Sequence, residues 1–391
     1  MLVAHVSIIH KPLDTRVFRK QCRALAAAGY DVHLIVGGAP LEALDGVQFH
    51  SIAASYERPP LRRQLPRVAR AARVAFALGA SVYHLHDPHL IPLGLALKLR
   101  GARVIYDVHE DYPAKAATEH SDHLLRKRLK AGTWTVLEHL ARKWLDSFVC
   151  ASQALATRFP ADRTVVVSNL PLHQEFTPAT AVPQYHDRPN TVLYVGSLTR
   201  ARGYFEITRA LELLPAELDC TLRVVGYFRD QGVVRAASTL PPRGRIEMIP
   251  FQPYERVVRE MLSAKIGIVL LHPLPNHADP ARSNKLFEYM AAGLPVIASD
   301  HRQWRDIVRG IGCGLVVDPL DATAIAGAVE YLLTHPADAE AMGRRGRDAV
   351  CSELNWDCDR ARLVAFYRRL TADRTGTTAG TVRADRSNVA S

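Results

Sequence analysis

The feature that most constrains the fold of this chain is a rhythm. Short apolar runs alternate with amphipathic stretches, stop near the middle, and begin again. Strand-like runs at 2–9, 30–36, 82–86, 103–107, 147–150 and 164–167 are separated by stretches of helical period. In one of these, 15–28, Val17, Cys22, Leu25 and Ala26 are read as the inward face, and Gly29 ends the run. Such alternation predicts a parallel sheet with helices on both sides, because each crossover between parallel strands carries a helix back over the sheet. The rhythm restarts at Thr191-Val192-Leu193-Tyr194-Val195-Gly196 and continues at 221–225, 246–249, 266–270, 295–298 and 315–317. Between the halves, residues 177–190 (TPATAVPQYHDRPN) are rich in proline and polar side chains and read as a linker. The expectation is an α/β protein of two Rossmann-like domains, residues 1–185 and 190–355, without a close sequence repeat. A last helix, 356–371, follows them, and residues 372–391 lack apolar periodicity and read as a disordered tail.

A length of 391 residues, 48% of them hydrophobic, supplies two cores. The first nine residues are strand-like, without the basic leader and cleavage site of a signal peptide. No apolar run approaches the ~20 residues of a membrane span. The six cysteines (Cys22, Cys150, Cys220, Cys313, Cys351, Cys358) form no CxxC pair and read as reduced core residues of a cytoplasmic protein. The net charge of +11 is uneven: residues 1–185 hold 23 Lys and Arg against 15 Asp and Glu, which is +8. Two stretches dominate, the six arginines from Arg58 to Arg73 and the run Arg126-Lys127-Arg128-Leu129-Lys130 beside Leu124, Leu125 and Trp134. Charge at helical spacing is either a solvated face or a surface for an anionic membrane or lipid-linked substrate. No nucleic-acid-binding motif accompanies it, so nucleic acid is not an expected partner.

Open α/β sheets bind ligands beyond the carboxyl ends of their strands, so two such domains place their site in the cleft between them. Three stretches of the second half point there. In the run from Val195 to Gly203 a strand ends at Gly196, and Arg200 and Arg202 flank a tight turn before a helix. Guanidinium forks and helix-start amides suit a diphosphate, although two surface arginines on a loop look the same in sequence. The run Val224-Val225-Gly226 ends another strand in glycine, for a ligand's approach or simply for a turn. The third stretch, ARSNKLFEYMAAGLPVIASD, spans Ala281 to Asp300. Ser283 reads as an N-cap, Asn284 and Lys285 open the helix, and Gly293 with Pro295 closes it. The amides of that first turn attract an anion. Among Leu286, Phe287, Tyr289 and Met290 sits Glu288, a carboxylate costly to bury unless it is hydrogen-bonded. Its two acceptor oxygens suit a ribose diol; the competing reading is a structural carboxylate held by backbone amides.

With these stretches the chain resembles the family 4 (group 1) retaining glycosyltransferases. Their fold, GT-B, sets two Rossmann-like domains facing each other across a cleft, with a C-terminal helix crossing back. The second half carries the likeness in Val195-Gly196-Ser197 through Arg202-Gly203, in Asn284 through Pro295, and in Asn355-Trp356. The first half carries it in Asp14-Thr15-Arg16, His86-Asp87-Pro88 and Tyr106-Asp107-Val108-His109-Glu110-Asp111, so it extends over roughly residues 1–371. In the same places the chain is similar to a subgroup that makes surface polysaccharides such as exopolysaccharide, capsule or O-antigen.

The resemblance implies sugar transfer from a nucleotide-sugar donor, such as a UDP-sugar, with retention of anomeric configuration. The donor is expected chiefly on the second domain, at Ser197, Arg200, Arg202, Gly226, Ser283, Asn284, Lys285 and Glu288. The acceptor, a lipid-linked glycan or a small molecule, is expected on the first, at Asp14 and Arg16. Glu288 matches the second glutamate of the family's Glu-(x7)-Glu motif, the ribose ligand, and Arg202 stands where a lysine binds the diphosphate. His109 matches the histidine facing the transferred sugar, so His109 and Arg202 are the catalytic candidates. Three departures stand out. Pro280, with Asp279 beside it, occupies the place of the first glutamate; Ser197 replaces an arginine, with Arg200 as the stand-in; and His10-Lys11-Pro12-Leu13-Asp14 replaces a glycine-rich loop.

Neither a cofactor nor a metal is expected. No Asp-x-Asp lies on a strand-end loop, Asp357-Cys358-Asp359 falls on the last helix, and the run His84, His86, His89 reads as lacking a nearby carboxylate pair. The expected location is cytoplasmic, with peripheral attachment at the inner membrane face as a further expectation. Competing classes are a GT-B nucleotide-sugar epimerase or hydrolase, a sugar-binding protein without catalysis, and a Rossmann oxidoreductase. The last is disfavoured because no G-x-G-x-x-G follows the first strand.

Overall fold

Residues 1–40, 42–54, 64–118, 124–177, 183–228, 232–233, 245–274 and 283–375 are described by the structure, a computed structural model. Among them stand two parallel sheets. The first contains β1 (Leu2–Val6), β2 (Asp31–Val36), β3 (Val47–Ser51), β4 (Val82–Leu85), β5 (Arg103–Val108), β6 (Ser147–Cys150) and β7 (Thr164–Val166), ordered β3-β2-β1-β4-β5-β6-β7. The second contains β8 (Thr191–Leu198), β9 (Thr221–Phe228), β10 (Arg245–Ile249), β11 (Ile266–Val269), β12 (Val296–Ser299) and β13 (Gly314–Val317), ordered β10-β9-β8-β11-β12-β13. In each, the order reverses beside the strand that opens the domain, which leaves a crevice between β1 and β4 and another between β8 and β11. The central strands are buried on both faces, and this is why they read as unbroken apolar runs. The expected pair of Rossmann-like domains is therefore present, with GT-B architecture.

Strand β3 was not expected. Only Val47 of Val47-Gln48-Phe49-His50-Ser51 is buried, because this strand lies at the sheet edge and its polar residues hide the period. The first helix begins with a π-wound segment, Thr15–Cys22, and continues as Arg23–Ala27. Oδ1 of Asp14 caps it, accepting the amides of Arg16 (2.9 Å) and Val17 (3.0 Å). Its π-wound part buries Arg16, Lys20 and Gln21 together with Val17 and Phe18, whereas Ala26, expected inward, is only half-buried.

The chain passes to the second domain earlier than the linker suggests. Leu170, Phe176 and Tyr185 all pack into second-domain cores, and residues 178–182 of the linker lie outside the described residues. The last helix, Trp356–Thr375, runs on past 371 and returns to the first domain. It buries Trp356, Leu363, Phe366, Tyr367 and Leu370 against Val3, Phe18 and Leu25. The expected disorder of the tail concerns, beyond Thr375, residues outside those described. Two cysteines also depart from expectation: Cys351 is exposed and Cys358 partly so, since both sit on outward sides of the C-terminal helices.

The two strand-end glycines have a structural reason. Strands β8 and β9 do not stop at Gly196 and Gly226 but run on to Leu198 and Phe228, with the two glycines paired in register. Both have positive φ (+103° and +152°), and a Cβ on Gly226 would lie 2.3 Å from the Gly196 carbonyl oxygen. Gly226 is a glycine because the two strands touch there.

Candidate active site

Two of the cavities between the domains carry the expected site residues of both walls. One, about 610 Å³, has His10, Lys11, Asp14, Thr15 and Arg19 on the first-domain side and Val195, Phe251, Tyr254 and Glu288 on the other. The second, about 350 Å³, is lined by His10, Asp14, Arg16, His109, Glu110, Asn169 and Asn284.

The first wall is organised by Asp107, fully buried on β5. Its Oδ1 accepts Nη2 of Arg16 at 2.7 Å, and its Oδ2 accepts Gln21 at 2.9 Å. Nε2 of His109 lies 2.8 Å and Nδ1 of His86 3.1 Å from the same Oδ2. Burial by itself would raise the pKa of this carboxyl, but Arg16 and then His109 hold it well below the usual range. Behind it, His5, His84 and His86 stack in the core with ring centroids 4.7–5.1 Å apart. His84 Nδ1 meets the Tyr367 hydroxyl of the returning helix at 2.7 Å. Burial keeps these three rings neutral, with His86 brought down to about 3.

The second wall is the helix Asn284–Ala291. Half-buried Glu288 accepts the Tyr254 hydroxyl at 3.1 Å. Burial raises its pKa against the opposing charges of Lys20 and Lys285. Lys20 comes from the first domain, where its Nζ donates to Asn169 Oδ1 at 2.7 Å, and burial lowers it to about 8. Lys285 is likewise lowered to about 8, by burial first and then by repulsion from Arg202. Gly196 makes room for it: a Cβ there would stand 3.2 Å from Lys285 Cε. Arg202 is tied down by a 2.7 Å bond from Nη1 to the Ser197 carbonyl. The hydroxyls of Ser197 and Ser283 are buried and lack a hydrogen-bond partner among the described residues. Lys285 and Arg202 repel each other, and an anion beside Lys285 would relieve that repulsion.

Of the expected site residues, Asp14, Arg16, His109, Asn284 and Glu288 line these cavities, and several of the expected roles change. Ser283 does not cap its helix: at φ −122°, ψ 89° its side chain makes no capping bond, and the hydroxyl is turned inward. Arg200 is exposed and lies over the Phe205 ring at 4.7 Å, turned toward the helix that follows. Arg16 reaches the cavity wall, yet its guanidinium is taken up by Asp107 and by the Val167 carbonyl (2.7 Å), and Asp14 caps a helix. The histidine run does have carboxylates beside it, because the fold carries Asp87 and Asp107 to the same strand ends. Donor atoms of His86, Asp107 and His109 lie within 4.8 Å of one another, as metal ligands would. With a guanidinium and an amide already bonded to Asp107, the set fits a hydrogen-bonded hub better than a cation site. Pro280 and Asp279 lie outside the described residues. Asp107, Lys20 and Tyr254 were not candidates from sequence, since each acquires its meaning from a partner far along the chain.

Two Rossmann-like domains across a cleft, with a C-terminal helix that returns to the first, are the architecture of the GT-B glycosyltransferases. A family model for Glycosyltransferase Family 4 matches residues 15–169, and one for Glycosyl transferases group 1 matches 179–349. Together they take in most of the chain, which belongs to this glycosyltransferase family. Among curated proteins it is 24% identical over 297 residues to the phosphatidyl-myo-inositol mannosyltransferase of Mycobacterium leprae, covering 73% of this chain and 72% of that one. It is also 24% identical over 188 residues to the amylovoran biosynthesis glycosyltransferase AmsK of Erwinia amylovora, covering 47% and 46%. Among solved structures, Anabaena HepE in complex with UDP-glucose superposes with a TM-score of 0.71 at 14% identity, over 94% of this chain and 100% of that one.

Proposed function

We propose that this glycosyltransferase moves a sugar from a nucleotide-sugar donor, held mainly by the second domain, to an acceptor on the first, with retention of anomeric configuration. The observations that support this reading are the mutually repelling Lys285 and Arg202 and the partnerless Ser197 and Ser283 hydroxyls of the second domain, together with cleft cavities lined by Glu288 and by His109. In the proposed complex the ribose hydroxyls donate to Glu288, and the diphosphate lies against Lys285 and Arg202. As the bond from the anomeric carbon to the diphosphate breaks, the electron pair leaves with the diphosphate, and those fixed cations stabilise the growing charge. His109, oriented by Asp107, positions the sugar. In this scheme the protein's own cations carry the leaving group, and neither metal nor cofactor is assigned a part.

The UDP-glucose bound by the Anabaena protein supports a UDP-sugar as the first donor to try. The names of the mycobacterial and Erwinia relatives support a lipid-linked acceptor in surface-polysaccharide synthesis. The test is a thermal-shift screen of nucleoside diphosphates and nucleotide sugars, followed by product analysis in excess EDTA with the wild type and Arg202→Ala. A bound ligand raises the melting temperature by mass action. The proposal expects transfer that persists in EDTA and falls strongly in the variant, since a contact made in the transition state is lost. Activity that vanishes with EDTA and returns with magnesium or manganese overturns the metal-free scheme. An epimerised or hydrolysed donor in place of transfer overturns the transferase reading.

A further inference from the structure

A buried lysine fixes an amide at the point where the chain leaves the first domain. Arg16 and Lys20 both lie on the π-wound start of the first helix, and both reach the segment that follows β7. Arg16 donates to the Val167 carbonyl at 2.7 Å. Lys20, 3% exposed, places Nζ 2.7 Å from Oδ1 of Asn169 and 3.4 Å from its carbonyl oxygen, and it bonds no other described residue. An ammonium donates and has no lone pair, so it meets only the oxygen of a side-chain amide. The Asn169 side chain is therefore held one way round. Nδ2 is the atom left for the cleft, and it bonds none of the described residues. Asn169 lines the 350 Å³ cavity together with His109, and Asn284 lines it from the second domain. The same two amides line a neighbouring cavity of about 360 Å³, so they stand where the two spaces meet. Several charged groups of the smaller cavity are already engaged: Asp14 caps a helix, Arg16 bonds Asp107 and Glu110 pairs with Lys115. A neutral amide beside them suits an uncharged hydroxyl-bearing ligand.

We propose that Asn169 contacts the sugar of the bound donor, its Nδ2 donating to a hydroxyl oxygen, with Lys20 as the positioning residue behind it. This inference rests on the donor reading above, which seats the sugar beside His109 in the cavity that Asn169 lines. An N–H held in one place distinguishes sugars by where they carry an oxygen to accept it. A site built to bond a hydroxyl in this way rejects an analogue that lacks it. The next residue, Leu170, already packs into a second-domain core, so the contact sits at the crossing between the domains. Burying an ammonium is costly. A lysine that fixes the amide gives that burial a use, because an unheld asparagine could turn its oxygen to the sugar instead. The competing role is structural, with Lys20 and Asn169 only anchoring the crossing segment.

The test is calorimetry on the full chain without an acceptor, with UDP and UDP-glucose, and GDP and GDP-mannose, as paired probes. The readout is the affinity for the nucleotide sugar divided by that for the bare nucleotide, a ratio in which contacts to base, ribose and diphosphate largely cancel. In Asn169→Ala the ratio should fall about tenfold for the pair that the wild type binds, while bare-nucleotide affinity stays within about twofold. Lys20→Met lets the amide turn and should lower the ratio about threefold. The double variant Lys20→Met/Asn169→Ala should fall no further than Asn169→Ala, because the lysine acts through the asparagine. It also removes ammonium and amide together, so no buried charge is left unpaired if Asn169→Ala folds poorly. An unchanged ratio in Asn169→Ala and in the double variant overturns the proposal. Equal loss of nucleotide and nucleotide sugar does the same, since that is the mark of a structural role. A wild type that binds none of the four probes overturns the donor reading itself, and this inference falls with it.

Discussion

The Tyr254 hydroxyl donates to Oε1 of Glu288 at 3.1 Å, and this bond aims a carboxylate from an otherwise apolar helix face at the interdomain cleft. The partner explains how Glu288 is tolerated there, and Oε2 remains for a ligand. Glu288→Gln keeps the shape and one acceptor oxygen but removes the charge. Losing a charge-assisted hydrogen bond should weaken nucleotide binding by about 1.5–3 kcal/mol, while the fold survives. Calorimetry with the best-binding nucleotide decides it, and unchanged affinity in Glu288→Gln removes the ribose assignment.

Gly226 separates fold from site. A methyl group there meets the Gly196 carbonyl oxygen at 2.3 Å, and a φ of +152° is strained for any L side chain. Overpacking of this kind costs about 1–3 kcal/mol, so Gly226→Ala should lower the melting temperature by several degrees. Gly327, exposed on the helix Ala322–Thr334, has nothing within 4 Å of an added Cβ. Gly327→Ala should instead stabilise by up to about 1 kcal/mol through helix propensity. Paired thermal melts check the opposite signs.

The buried histidines make a pH prediction. Burial holds His86 at about 3 in the fold, and the unfolded chain takes up that proton near the ordinary histidine value. Below that value the unfolded state binds more protons, so the contribution of His86 to stability is present above pH ~6.5 and is lost as pH falls toward its folded pKa. Glu138, raised to about 7, and Asp359, raised to about 6, act in the opposite sense, because the folded state keeps protons there that the unfolded state releases. A difference between wild type and His86→Gln cancels those two. The stability gap should shrink by roughly 2 kcal/mol between pH 7 and pH 5, at about 1.4 kcal/mol per pH unit below the unfolded pKa. Denaturant titrations at several pH values measure it, and a gap that stays constant shows that His86 takes up its proton in the fold as readily as in the unfolded chain.

The parts of this molecule legible in the sequence are those with local period or local conflict. Both sheets could be read because doubly covered strands are continuous apolar runs, and Glu288 stood out because it interrupts an apolar helix. Asp107 gave no such signal. It meets Arg16 across 91 positions and Gln21 across 86, and a short sequence window holds no trace of such a meeting. The role of Arg16 changed for the same reason: the residue was visible beside the cleft, but its partner on β5 was not. Ser283 illustrates the opposite error, where a good capping residue makes no capping bond and its hydroxyl is buried instead.

The last prediction concerns the membrane. The helix Leu124–Trp144 leaves Leu125, Leu129 and Val136 exposed at 80%, 71% and 59%, and spacings of four and seven residues put them on one face. Arg128 is exposed beside them. Trp134, expected to help at this surface, is buried against His89, with ring centroids 4.7 Å apart, so the apolar contribution comes from the two leucines and Val136. Arg67 and Arg70 of the other basic stretch donate to the Ile8 and Ile52 carbonyls, and Arg58, Arg62 and Arg63 lie outside the described residues. Among the described residues no helix is long and apolar enough to cross a bilayer, so any attachment through this helix lies on the surface. Each basic residue near an anionic bilayer contributes about 1 kcal/mol, and this attraction is screened beyond about 10 Å at 0.1 M salt. The chain should therefore co-sediment with anionic vesicles more than with neutral ones, and less as salt rises. Changing Leu125 and Leu129 to Ser should weaken binding to anionic vesicles at every salt concentration, because the apolar anchor is lost. Changing Lys127 and Arg128 to Gln should mainly flatten the salt dependence. Equal sedimentation with neutral and anionic vesicles, or no loss in either variant, removes the membrane surface as a partner and leaves a soluble acceptor as the better reading.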